Sequence, residues 1–238
     1  QVAMIDPAAG SVMAIAESLT NIVFAPLSDK LSGVSLSANW MWPCRNEGED
    51  ARLYKAVQAA SDFACALGIN IPTGKDSLSM TQKYGDDKVI APGTVIISAG
   101  AEVSDIRKIV SPVLAHEKNS YIYYIDFSFD TMKLGGSALA QVLNKLGDEV
   151  PTVKDSEYFS DAFNAVQDAI EKGLVLAVTW NRPTGHAVQQ HADHRNGNQK
   201  DNRKFQVDTH CHDRRTDNQK RAACCQLSKG LFSVTVFK

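Results

Sequence analysis

Apolar residues recur at helical spacing over the first long stretch of the chain. Val12, Ile15, Ala16, Leu19, Ile22 and Val23 fall on one stripe between Ala8 and Phe24, which predicts an amphipathic helix laid against a core. Asp6 before Pro7 is suited to cap its start, and Pro26 stops its far end. Leu27 to Gly33 reads as a turn region, and Val34 to Asn39 alternates like a short strand. A second helix is predicted over Glu49 to Leu67, with Leu53, Val57, Ala60, Phe63, Ala64 and Leu67 inward. Its acidic start suits the helix dipole, and Gly68 ends it. Met80 to Val89 reads as a hairpin around Tyr84-Gly85-Asp86-Asp87, and Thr94 to Val103 as a strand buried on both faces. Helix, strand, helix, hairpin and strand in that order predict an α+β layer of helices on a mixed sheet.

The polar stretch from Ser104 to Ser120, which contains Pro112, marks a domain boundary, so residues 1–112 form a first unit and residues 113–177 the start of a second. The second opens with a strand at Tyr121 to Phe127. Leu134-Gly135-Gly136-Ser137 then leads into a helix over Ala138 to Leu146. Ser156 to Lys172 is amphipathic through Phe159, Ala162, Phe163, Val166 and Ile170; Gly173 caps it, and Leu174 to Ala177 begins a buried strand. From Val178 to about Gly230 the periodicity disappears. Asn, Gln, Asp, Arg, Lys and His dominate there, so residues 178–238 read as a polar, low-complexity tail that cannot offset its ordering entropy.

Composition narrows the function classes. The 238 residues are 44% hydrophobic, enough for a real core, and the formal net charge of -2 argues against a nucleic-acid binder. No apolar run is long enough to span a bilayer and no signal peptide is visible, which predicts a cytoplasmic protein with no membrane partner. The chain starts with Gln in domain-like sequence, which suggests an excised piece. Five cysteines without framework spacing do not suggest a disulfide scaffold.

Three stretches carry candidate chemistry. Glu17 and Asn21 are four apart on the first helix and share a line with Met13, beside the apolar stripe. A carboxylate and an amide oxygen stacked in this way can ligate a hard divalent cation that also holds phosphates, or simply form a solvated polar face. Gly74-Lys75-Asp76-Ser77 offers backbone N–H groups and a cation to an anion, with a carboxylate for metal; the alternative is an ordinary turn. Walker A spacing is absent, because Ile69 stands five residues before Gly74. Gly135 and Gly136 before a helix suit an anion, or allow tight packing of strand against helix. Cys65 reads as a small buried hydrophobe, and His186, His191, His194, His210, Cys211 and His212 fit no standard zinc spacing.

The segments AESLTNIVFAP, LSANWM, GEDARLYKAV, PTGKDSLSM and LGGSALAQV, in that order from Gln1 to about Ala177, closely resemble phosphoribosylformylglycinamidine synthase. That family is the glutamine-dependent amidotransferase of purine biosynthesis. The resemblance implies an architecture like that of aminoimidazole ribonucleotide synthetase, with two domains present in part. It implies ATP or ADP and Mg2+ as cofactors, with Glu17 and Asn21 as magnesium ligands. It also implies a signature loop of Gly74, Lys75, Asp76 and Ser77 facing the substrate and phosphate region. Formylglycinamide ribonucleotide, glutamine-derived ammonia and the remaining domains of the same enzyme would be its partners.

The chain also departs from the family pattern. Arg45-Asn46 stand where the family often has Gly-His, although Glu49-Asp50 carry over. After Ala177 the family continues with a Gly-His-Asp-x-Ser-x-Gly-Gly segment, whereas Val178, Thr179 and Trp180 follow here. A Gly-His codon pair read one base late gives Val-Thr, so a reading-frame slip is the expectation for the tail. The expected fragment lacks its last magnesium ligand and a glutaminase segment, and little activity is expected of it alone. Two other classes stay open: a related kinase of the superfamily, such as selenophosphate synthetase or thiamine-phosphate kinase, and a non-catalytic nucleotide-binding domain.

Overall fold

A computed structural model describes residues 1–113, 120–131, 133–181 and 232–237. The chain begins with one helical turn, α1 (Val2–Ile5), and the long helix α2 (Pro7–Ile22) follows at once. Asp6 separates them in extended conformation, and its carboxylate accepts from the N–H groups of Ala8 (2.9 Å) and Ala9 (3.1 Å). This is the predicted cap, with Pro7 at the first helical position where no donor is lost. Ile15, Ala16, Leu19 and Val23 are buried, as the stripe predicts.

A 3-10 helix (Lys30–Gly33) leads into β1 (Ser35–Met41), and α3 (Glu49–Leu67) has the predicted bounds. Gly68, in the left-handed region at φ 68°, closes α3 by donating toward Ala64 and Cys65. One position in the predicted stripe is wrong. The buried face is Ala56, Ala60, Phe63, Ala64 and Leu67, whereas Val57 is 41% exposed, about 100° around the helix from Ala56. Cys65 is exposed rather than buried for the same reason, being one residue off the inward line.

β2 (Asn70–Ser77) pairs parallel to β1, and the hairpin of β3 (Thr81–Tyr84) and β4 (Asp87–Ile90) follows. β5 (Thr94–Gly100) runs antiparallel on the other side of β1, giving the sheet order β2-β1-β5. Both α2 and α3 pack on one face, α2 over β5 and α3 toward β2. Leu36 and Ala38 point into that layer, opposite Ala99 and Ile97. The expectation that β5 is buried on both faces is therefore corrected: Ile96, on the face without helices, is 48% exposed.

The second half contributes β6 (Tyr121–Asp126), the short α4 (Ala138–Val142), α5 (Ser156–Glu171) and β7 (Val175–Asn181). β8 (Phe232–Phe237) lies between β6 and β7 and is antiparallel to both. Most of the stretch read as a polar tail lies outside the described residues, but its two ends are strands. Residues 178–181 continue β7, and Phe-Ser-Val-Thr-Val-Phe has the alternation and β-branched content of a strand. The histidines from His186 to His212 and Cys211 lie outside the described residues.

One core spans both halves. Phe159 of α5 is fully buried between Phe63 of α3, at 5.8 Å and edge-on, and Phe127, at 5.5 Å. Aromatic rings in these orientations add attraction beyond the area they bury. The boundary near residue 112 divides the chain in sequence, but Val110, Ile125 and Phe127 join the same cluster as α2 and α3.

After β6, Asp130 is held with its side chain 1% exposed, 3.1 Å from Lys154 Nζ and 3.2 Å from Lys133 Nζ. Burial alone would raise its pKa, but Lys154, the Thr131 N–H and Lys133 outweigh it, and the carboxyl titrates below its usual value. An acid whose pKa is depressed by folding stabilises the fold above its unfolded pKa, and that contribution is lost as pH falls through the folded value. Asp130→Asn is thus expected to lower stability by about 1 kcal/mol near neutral pH, with the difference vanishing in acid. Melting curves of both proteins from pH 7 downward check this; a gap unchanged by pH would contradict it.

Candidate functional site

α2 shows Met13, Glu17 and Asn21 to one side of its buried stripe, four residues apart each time. Met13 and Glu17 are half-buried, and Asn21 is exposed in the last helical turn. Two side chains between them bond back to the helix's own carbonyls. Ser18 Oγ donates to the Ile15 carbonyl at 2.7 Å, and Thr20 Oγ1 donates to those of Ala16 (3.0 Å) and Glu17 (3.1 Å). These bonds satisfy the buried Ser18 and Thr20 hydroxyls within the helix.

The donor set has a definite chemistry. Among the described residues no group of three His, Cys, Asp or Glu side chains could enclose a metal ion. One carboxylate with one amide oxygen is too few for a protein-only cage. It fits Mg2+, which keeps several waters and is commonly bound through one or two carboxylates together with phosphate oxygens.

Gly74 to Ser77 form the end of an edge strand rather than the expected loop. Gly74, Lys75, Asp76 and Ser77 lie opposite Ala38, Asn39, Trp40 and Met41 of β1. Strand alternation separates them: Lys75 and Ser77 share one face, and Asp76 takes the other. Lys75 Nζ donates to Ser77 Oγ at 2.9 Å and to the Asp76 carbonyl at 3.2 Å, so the cation and hydroxyl are brought together on the exposed surface. β2 is the edge away from β5, and α2 lies over β5. Glu17 and Asn21 thus sit on a different element at the other side of the layer from Gly74 to Ser77.

Gly135 and Gly136 have a packing explanation. Their N–H groups donate to the carbonyls of Glu149 and Leu146, both at 2.8 Å, and are used within the chain. Gly136 has φ 74°, and a Cβ on Gly135 would run into the Glu149 backbone. The helix they precede, α4, has five residues, and Ser137 caps it by accepting from Ala140 N–H at 3.1 Å. The two glycine N–H bonds close a loop and account for both glycines by packing, the second of the two readings the sequence allows.

Sequence reasoning passed over a row on α5. Gln167 lies four residues after Phe163 and three before Ile170, inside the apolar stripe, and is fully buried. Its Nε2 donates to the Val23 carbonyl at 2.6 Å, and its Oε1 accepts from Leu27 N–H at 2.8 Å. Asn164 Oδ1 accepts from Leu31 N–H at 3.2 Å, and Asp168 pairs with Lys30. That pair holds the Asp168 carboxyl below and the Lys30 ammonium above their usual pKa, through their mutual hydrogen bond. The signal was available: a polar residue on a core stripe needs a buried partner.

The structure is a mixed α/β protein whose first half is a sheet with helices on one face, Glu17 and Asn21 lying on the first long helix of that layer. Residues 1–102 match the FGAR-AT PurM_N-like domain family. Among solved structures, T. maritima PurL complexed with ATP is similar at 10% identity and TM-score 0.48, covering 75% of this chain and 24% of that one. T. maritima PurL complexed with FGAR is similar at 14% identity and TM-score 0.49, covering 74% of this chain and 27% of that one. E. coli HypE, a hydrogenase maturation protein, has 15% identity and TM-score 0.47, covering 77% and 51%. The chain thus spans a minor part of the PurL chains it resembles. Among the described residues no helix is long and apolar enough to cross a membrane.

Proposed function

We propose that this chain is part of a phosphoribosylformylglycinamidine synthase and carries one side of a site for ADP or ATP with Mg2+, Glu17 and Asn21 being the metal-facing donors. The observation that carries the reading is the Glu17–Asn21 line on α2, within the stretch that matches the FGAR-AT PurM_N-like family. Bound there, Mg2+ would neutralise phosphate charge and fix the phosphate chain. Glu17 would contribute an anionic oxygen from a half-buried position, where its attraction for a cation is less screened than in open water. Asn21, one turn on, would add a neutral oxygen without increasing the charge to be desolvated.

Lys75 and Ser77 supply a cation and a hydroxyl on the open face of the sheet, suited to a phosphate of the ribonucleotide substrate. The parent reaction would convert formylglycinamide ribonucleotide to formylglycinamidine ribonucleotide, using ATP and glutamine-derived ammonia. The remaining domains of that enzyme would supply the other groups, and the chain alone would show little turnover.

The test is equilibrium binding of ADP across a Mg2+ titration. Wild-type chain is expected to bind ADP more tightly as Mg2+ rises, and Glu17→Gln is expected to raise the Mg2+ needed by about tenfold. Asn21→Ala is expected to act in the same direction with a smaller shift. ADP affinity that ignores Mg2+, or a Glu17→Gln protein that titrates like wild type, would remove the reading.

A further inference from the structure

We infer that Gln167 of α5 is a positioning residue for the α2 site: its amide fixes the last turn of α2, and through that turn the direction of Asn21. α2 ends at Ile22, and carbonyls beyond the last helical bond need partners from elsewhere. Three consecutive carbonyls follow Asn21. Ile22 accepts from Ala25 N–H at 3.1 Å and Phe24 from Val110 N–H at 3.0 Å, both backbone donors. The one between them, Val23, accepts at 2.6 Å from Gln167 Nε2, a side chain 144 residues away in the chain. The other end of the same amide accepts from Leu27 N–H. Gln167 therefore bridges the helix end to the segment that leaves it, from a position with no solvent exposure.

The geometry gives this bridge a role beyond filling space. Glu17 lies in the interior of α2, where backbone bonds on both sides hold it. Asn21 lies in the final turn, where helices fray first. A buried amide that satisfies both a stranded carbonyl and the N–H of Leu27 keeps that turn helical, and so keeps Asn21 in line with Glu17. The second half of the chain would in this way set the site borne by the first.

Native-state hydrogen exchange on the ligand-free full chain tests the clamp, and the Mg2+ titration of ADP binding tests its consequence. The second measurement rests on the proposed Glu17–Asn21 site; the first does not. In wild type the Leu27 amide is expected to be protected like the core. Gln167→Met, similar in length but without either bond, is expected to speed exchange from Val23 to Leu27 about tenfold more than in α3. Val166→Ala, a core truncation on the same helix, is the control for general destabilisation and is expected to show no such local excess. Gln167→Met is also expected to raise the Mg2+ requirement severalfold, in the direction of Asn21→Ala.

An unprotected Leu27 amide in wild type overturns the inference without any variant. So does equal loosening in Gln167→Met and Val166→Ala. Local loosening with an unchanged Mg2+ requirement, while Glu17→Gln raises it, reduces Gln167 to a structural residue and overturns positioning alone. If Glu17→Gln has no effect either, the site reading has failed, and positioning fails with it.

Discussion

Phe159→Ala is expected to lower the free energy of unfolding by about 3–5 kcal/mol, the range for truncating a large buried aromatic. Phe159 has no exposed surface and touches rings from two directions, Phe63 on α3 and Phe127 after β6. Removing its ring deletes the apolar area and leaves a void, and the edge-on contact with Phe63 is lost as well. Relaxation is limited because Phe163, also fully buried, lies one turn further along the same helix. The loss falls where α5 meets α3, so it weakens the link between the two halves and not one element alone. Urea denaturation measures it, with Tyr54→Ala, at a position 70% exposed, as a control within about 0.5 kcal/mol of wild type. A Phe159→Ala protein within 1 kcal/mol of wild type would mean that the two halves do not share a core.

Gly74→Ala is expected to destabilise by about 1–3 kcal/mol, although alanine is usually a mild substitution. Gly74 lies opposite Ala38 in the parallel pairing of β2 with β1, and an added Cβ would overlap the Ala38 carbonyl oxygen. That neighbour is backbone, so no rotamer change relieves the clash and the strands must separate. The effect should run toward the end of the strand, where Trp42 N–H donates to the Ser77 carbonyl at 2.8 Å. Denaturation gives the size, and faster exchange at the Trp42 amide gives the location. Gly100→Ala, with open space around its position and no positive φ, is expected to leave both unchanged. Wild-type stability in Gly74→Ala would show that β2 is not seated against β1 at this register.

Much of the first half was legible because its signals are local. The bounds of α3 follow from its acidic first turn and from Gly68, and the start of α2 from Asp6 and Pro7, since caps act within a few residues. The line of Glu17 and Asn21 was legible too, because helical periodicity fixes which residues share a side. β2 was not. Pro72, Gly74, Lys75 and Asp76 have poor strand propensity, and the segment becomes a strand because β1 offers it an edge. Exposure of Ile96 depends likewise on helices covering one face of the sheet only.

The sequence by itself determined the helices, their caps, the hairpin and the match of the first 102 residues to a family model, all written in short-range spacing and in motifs. The tertiary structure alone decided which donors are already used and which elements support the site. Gly135 and Gly136 give up their N–H groups to the carbonyls of Glu149 and Leu146 further down the chain, and Gln167 reaches 144 residues back to the end of α2. The reason is physical: a backbone or amide group buried away from water must find a partner, and the partner is chosen by packing rather than by neighbours in the chain.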